Sequence, residues 1–225
     1  MTLIGYWPLN ESSGATEPKD HSGNENHGTI NDGNDSTLPG ANGPLGQNAY
    51  EFDGKNDYVN IGEPSAYSTS SLGNSVSVSG WFYPESNQGD VFGHASDSNN
   101  DNVRIFWDSS NNSWASYVDA DNSNVVTWND SPSLDSWNHV VLVYDGSNQI
   151  QFLNGKVTYN SSNSGTLSSA SGSLWTVGSR GGDSSFLQGK ISEVRIYDRP
   201  LTMSEVQYLY NVGQRGQHVT SKKTS

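Results

Sequence analysis

Apolar residues in this chain come in short runs with strand-like alternation, divided by stretches rich in Asn, Asp, Ser and Gly. The run SVSVSGWFYP, residues 75–84, sets Val76, Val78, Gly80 and Phe82 on one face and Ser77, Ser79, Trp81 and Tyr83 on the other. Shorter runs at 91–93, 103–107, 114–118 and 125–128 predict further strands at the spacing of a sandwich. AYEFDGKNDYVNIG predicts a hairpin, with Tyr50 and Phe52 on one arm, Tyr58, Val59 and Ile61 on the other, and Asp53-Gly54 at the turn. WNHVVLVYDG, residues 137–146, is apolar on both faces and predicts a central strand. Asp145-Gly146 and Asn154-Gly155 then bracket the next strands of a meander. The start, LIGYWPLNESSG, is a short strand carrying Ile4, Tyr6, Trp7 and Leu9. Residues 20–44 lack periodicity and predict a long loop, of a length that is usually functional or pinned.

Only residues 189–210 break the all-β pattern. Ile191, Val194, Ile196 and Tyr197 predict a strand that Pro200 ends, since proline has no donor for the ladder. Thr202 and Glu205 form a capping-box pattern, and Val206, Leu209 and Tyr210 follow at helical spacing. The expectation is one short C-terminal helix closing a single sandwich domain over residues 1–212, followed by a polar, disordered tail over 213–225.

Composition narrows the function classes. The 24 acidic residues against 11 basic give a formal charge of -13, which disfavours nucleic acid and anionic membrane as partners. Such an acidic surface suits either a high-salt environment or an ordinary extracellular protein. Aromatics at 11% argue for a packed core despite the low apolar fraction of 32%. The absence of cysteine removes disulfides and thiol chemistry. No apolar run reaches membrane-span length and no leader precedes Gly5, so the chain reads as an excised domain or a cleaved form of a longer protein. Asn-x-Ser sequons at Asn10, Asn34, Asn111, Asn129 and Asn160 suit a secreted surface, although a chain this rich in Asn and Ser produces them by chance.

The ordered segments WPLNESSG, DHSGNENHGT, AYEFDGKNDYVNIG, SVSVSGWFYP, WNHVVLVYDGSNQIQFLNGKV, LWTVGSRGG and GKISEVRIYDRPLTMSEVQYLY together resemble the laminin-G-like branch of the concanavalin A-like lectin and glucanase superfamily. The resemblance implies an antiparallel two-sheet jelly-roll β-sandwich with loops at its rim for binding, and a structural calcium ion near the chain ends. On this sequence the implied ligands are Asp20, with Asn24 and Asn26 in the same loop, and Glu193 from the last strand. They offer the hard oxygen atoms that Ca²⁺ takes. Ser192 stands where many relatives carry an Asp. The competing readings are an Asx turn for Asp20 and a partner of Arg195 for Glu193.

A sugar site needs flat aromatic faces together with amide, carboxylate or guanidinium groups for the hydroxyls. The candidates are Trp107, Trp114, Tyr117 and Trp128 on the middle strands, interleaved with Arg104, Asp119 and Asp121, and His94 and Arg180 just after strand ends. For each tryptophan the competing reading is core packing, and for each arginine a surface ion pair. His139, among apolar neighbours, reads as a core histidine. The Glu-x-Asp-x-x-Glu spacing common in glucanases of the superfamily is absent, as are the other catalytic motifs sought, so no enzyme is expected. The reading is a calcium-stabilised, lectin-like module of a secreted or surface protein that binds carbohydrate or a glycoconjugate. The alternative is an adhesion domain that binds a surface protein.

Overall fold

Fifteen strands and two helices follow one another along the computed structural model, which describes residues 2–33, 39–44, 46–64, 69–96, 101–120, 124–168 and 173–221; for 39, 40, 69, 70, 124 and 216–221 only the backbone is described. In chain order they are β1 (Leu3–Trp7), β2 (Thr29–Asn31), β3 (Pro39–Asn42), β4 (Asn48–Asp53), β5 (Tyr58–Gly62), α1 (Thr69–Leu72), β6 (Val76–Pro84), β7 (Asp90–Ala95) and β8 (Val103–Asp108). Then come β9 (Ser113–Val118), β10 (Asn124–Thr127), β11 (Asn138–Tyr144), β12 (Asn148–Leu153), β13 (Lys156–Ser162), β14 (Leu174–Val177), β15 (Gln188–Tyr197) and α2 (Met203–Ser221).

Two antiparallel sheets form the expected sandwich. The first runs β13-β12-β11-β6-β15-β4-β3, with β1 also on β15, and the second runs β10-β9-β8-β7-β14-β5-β2. Their facing sides close over one core that includes Trp7, Phe52, Phe82, Trp114, Val140 and Ile196. The hairpin expected across Asp53-Gly54 is a correction: β4 pairs with β15 in the first sheet and β5 with β14 in the second. The turn is closed locally, by Asp57 accepting from the Asp53 amide and Asp53 accepting from the Lys55 amide. Alternation and turn chemistry set the arms but not which sheet each joins.

The central strand is where its doubly apolar pattern put it. β11 lies between β6 and β12, with Val140, Leu142 and Tyr144 in the main core. Val141 and Val143 face the other way, into a second cluster with Phe152, Tyr197, Leu201 and Val206. That cluster lies beneath α2, and burying Val206 alone is worth about 1.5–3 kcal/mol. The capping box forms: Glu205 accepts from the Thr202 amide at 2.9 Å and donates its own amide to Thr202 Oγ1 at 3.3 Å. The backbone of α2 runs on to Ser221, through the stretch expected to be a disordered tail. No proline interrupts it, and Gly213 lets the helix come down on Trp81, whose ring would stand 2.2 Å from a Cβ there. The one-turn α1 was not foreseen either.

β15 changes partners along its length. Residues 188–191 pair with β4, and residues 194–197 pair with β1. Between them lies a bulge in its register against β6, where Glu193 holds a left-handed φ of 62°. The chain's two ends therefore meet on one strand.

Candidate functional site

Strand alternation decides which residues of the second sheet can meet a ligand. On β8, Val103 and Ile105 enter the core, which turns Arg104 and Phe106 to the opposite face. Directly across the ladder from Arg104 stand Tyr117 on β9 and Gly93 on β7, and across from Phe106 stands Asp90 on β7. These residues form a polar and aromatic patch on the face of the sheet away from the core. Gly93 makes room for it, because a Cβ there would meet Arg104 Cγ at 2.8 Å.

An ion-pair chain organises the patch. Asp90 takes Arg104 in a two-point contact, Nε at 2.7 Å and Nη2 at 2.9 Å, and Asp101 takes Arg104 Nη1 at 2.6 Å. The other oxygen of Asp101 accepts from Arg180 Nε at 3.0 Å. The Arg104 guanidinium lies 4.2 Å from the centre of the Phe106 ring. Burial pushes the Asp90 carboxyl upward and Arg104 pulls against it; the forked contact is that of a carboxylate paired with a guanidinium. Arg180 is held from behind by a tight loop, in which its amide donates to Ser184 O at 2.9 Å and Thr176 Oγ1 donates to Ser179 O at 2.7 Å. Tyr117 and Phe106 are partly buried residues.

Of the seven residues put forward for ligand binding, the structure brings together Arg104, Arg180 and Tyr117. Trp114 and Trp128 are in the core, which corrects their candidacy: Trp114 shares the inward parity of Ser116 and Val118. Trp107 sits opposite Trp114 on the ladder, packs edge-on to it at 5.8 Å and leans on the same core. His94 is not at an open rim. It is fully buried, stacks on Trp175 at 5.2 Å and bonds Asn102 through Nδ1 at 2.9 Å, and burial holds its pKa low. Asp119 lies beyond the end of β9, and Asp121 falls outside the described residues, as does the sequon at Asn34. Sequence reading missed Asp90, Asp101, Phe106 and Gly93. The only signal was the charge of Arg104 between two core positions, which demands a partner.

The four residues expected to hold calcium are placed, and both carboxylates among them have protein partners. Asp20 Oδ1 accepts from the Tyr6 amide at 3.0 Å and the Ser22 amide at 2.8 Å; Oδ2 accepts from Ser22 Oγ at 2.8 Å and the Asn26 amide at 3.1 Å. Asn24 uses its side-chain amide to donate to Ile4 O at 2.9 Å. Glu193 is bound by Arg195 and accepts from the Tyr6 hydroxyl at 3.0 Å. Donors thus surround both carboxylates, and a guanidinium already supplies the positive charge at Glu193. Burial, with Glu193 beside it, pushes the Tyr6 hydroxyl up to about 12 despite Arg195, so it stays a donor. Among the described residues no cluster of three or more His, Cys, Asp or Glu is arranged to hold a metal ion. No helix among them is long and apolar enough to cross a membrane.

Comparison with known proteins follows the same architecture. A laminin-G-type family model, described as the concanavalin A-like lectin/glucanases superfamily, matches residues 53–207. No curated protein sequence matches the chain. Among solved structures, domain 4 of AbnA, an extracellular GH43 arabinanase from Geobacillus stearothermophilus in complex with arabinotriose, superposes with a TM-score of 0.69 at 20% identity, covering 93% of this chain and 98% of that one. The binding domain of Paraclostridial Mosquitocidal Protein 1 gives 0.68 at 15% identity, covering 93% of this chain and 52% of that one. Trypanosoma rangeli sialidase gives 0.65 at 16% identity, with 92% of this chain covered and 32% of the enzyme. At these identities the likeness is one of fold.

Proposed function

Because the chain belongs to the concanavalin A-like lectin/glucanase superfamily, we propose that it is a non-catalytic carbohydrate-binding module that works outside the cell. The observation that carries this reading is the fixed chain Asp90, Arg104, Asp101 and Arg180 beside the partly buried Tyr117 and Phe106. Asp90 and Arg104 are buried and brace the more open Asp101 and Arg180, which set polar groups next to aromatic surface for the C–H face of a sugar ring. The similar domain 4 of the arabinanase is described in complex with arabinotriose, which supports the ligand class. An acidic surface of net charge -13 suits a medium of high ionic strength.

A binding role also agrees with the state of the carboxylates. Hydrolysis of a glycosidic bond requires one carboxyl group to give a proton and a second to act as nucleophile or base. Asp90 and Asp101 are both committed to guanidinium groups. The chain ends belong to the scaffold, held by Asp20 and by Glu193 with Arg195, and calcium has no part in the proposed ligand contact.

The test is glycan binding by the purified protein, with Tyr117→Ala and Arg180→Ala as site variants and Trp114→Phe as a core control. Loss of one aromatic or guanidinium contact is expected to weaken binding about 10-fold, while the core variant keeps its affinity. Unchanged affinity in both site variants would place the ligand elsewhere, and release of reducing sugar by the wild type would make the protein an enzyme.

A further inference from the structure

Resting on the carbohydrate reading of this face, we infer that the site selects neutral glycans and excludes anionic ones. Two arginines on a sugar-binding face would ordinarily attract carboxylated or sulfated saccharides, since guanidinium forks match such anions in two-point contacts. Here the fork of Arg104 is already filled, and Arg180 is engaged at Nε. Asp90 occupies the Nε and Nη2 edge of Arg104, Asp101 occupies its Nη1, and the same Asp101 occupies Nε of Arg180. Two cations and two carboxylates cancel within the patch.

The net charge of the chain adds no positive potential to the patch. The chain carries 24 acidic and 11 basic residues, and its field opposes an approaching polyanion over roughly 10 Å at 0.1 M salt. A neutral sugar meets no such penalty, because hydroxyls need oriented donors and acceptors and not net charge. Asp101 is the element that sets the selectivity: its two oxygens serve the two arginines at 2.6 Å and 3.0 Å, so one carboxylate balances the second cation.

The experiment compares binding of the wild type and Asp101→Asn to neutral polysaccharides (arabinan, galactan, xylan) and to anionic ones (polygalacturonate, heparin) at low and at molar NaCl, by affinity electrophoresis and calorimetry. The wild type is expected to bind a neutral polymer with affinity that changes less than ~2-fold with salt, and to bind neither anionic polymer. Asp101→Asn, isosteric but one charge short, is expected to gain affinity for the anionic polymers of about 10-fold, lost again at molar salt. Asp101→Ser serves where the Asn variant loses its near-ultraviolet dichroism. Tighter binding of an anionic polymer by the wild type, or folded Asp101 variants without the gain, would overturn the selectivity. Failure of the wild type to bind either class would instead remove the carbohydrate reading on which the inference stands.

Discussion

His139 is an imidazole held where charge is penalised. Its ring lies 5.2 Å from that of Trp81 and 6.2 Å from that of Tyr210, and Nε2 is 3.1 Å from Ser79 Oγ. Burial, reinforced by the charge of Arg195, pushes its pKa down from 6.5 to about 3. A histidine lowered on folding takes its proton first in the unfolded chain. Its contribution to stability is therefore complete above pH 6.5 and is lost as the pH falls toward 3. Each unit of difference is worth 1.36 kcal/mol, so the full window amounts to a few kcal/mol, on the order of half the stability of an ordinary domain. Urea midpoints of the wild type should fall steeply from pH 7 to pH 4, and those of His139→Gln should fall less steeply over the same range. Equal slopes would assign the acid sensitivity to other groups. Reading this residue as a core histidine needed only its apolar neighbours; the tilted contact with Tyr210 of the helix could not be read there.

At the scale of elements, α2 depends on close approach as much as on its apolar stripe. A Cβ on Gly213 would meet the Trp81 ring at 2.2 Å, and that ring packs against both His139 and Tyr210, stacked on the latter at 5.8 Å. Gly213→Ala would gain ~1 kcal/mol of helix propensity and lose roughly 1–3 kcal/mol to overpacking, so the net change should be destabilising. A melting temperature raised by the substitution would mean that the helix lifts off without cost. The same glycine shows where sequence reading stopped. In the sequence, Gly213 looks like the end of a helix, because a glycine after an apolar stripe is a common stop signal. Its role as a contact depends on a tryptophan more than a hundred positions away. The strands themselves were largely legible, since period-two patterns such as 75–84 and the doubly apolar 137–146 state both the element and its burial. Pairing was less so: β4 and β5 carried good hairpin chemistry and went to different sheets. For the candidate site, Arg104, Tyr117 and Arg180 were legible as residue types. The tryptophans were misjudged because a strand's alternation does not say which of its two faces is inside, and that choice sent Trp114 inward and Tyr117 outward.

For the molecule as a whole, the joint between its two ends is the point at which family expectation and chemistry diverge. β1 and the second half of β15 pair along residues 194–197, and the bulge at Glu193 sends that carboxylate to the Tyr6 hydroxyl and to Arg195. Pro8 O joins the same contact, accepting from Ser192 Oγ at 2.9 Å and from the Glu193 amide at 3.1 Å. The serine that replaces an expected acid is thus a donor to the N-terminal segment. On the far side of Tyr6, Asp20 gathers four donors and pins the long loop to β1. A cation entering either place would have to displace protein donors that are already well placed, and near Glu193 it would also face the charge of Arg195. Heating scans with excess chelator and with added calcium should therefore give the same melting temperature. Asp20→Ala should lower it in both, because the Tyr6 and Asn26 amides lose a charged acceptor. A cost of about 3 kcal/mol corresponds to a fall of roughly 6–12 °C for a domain of this size. A melting temperature that drops with chelator and returns with calcium would put an ion back at this joint, and an unchanged value for Asp20→Ala would mean that the loop is held from elsewhere.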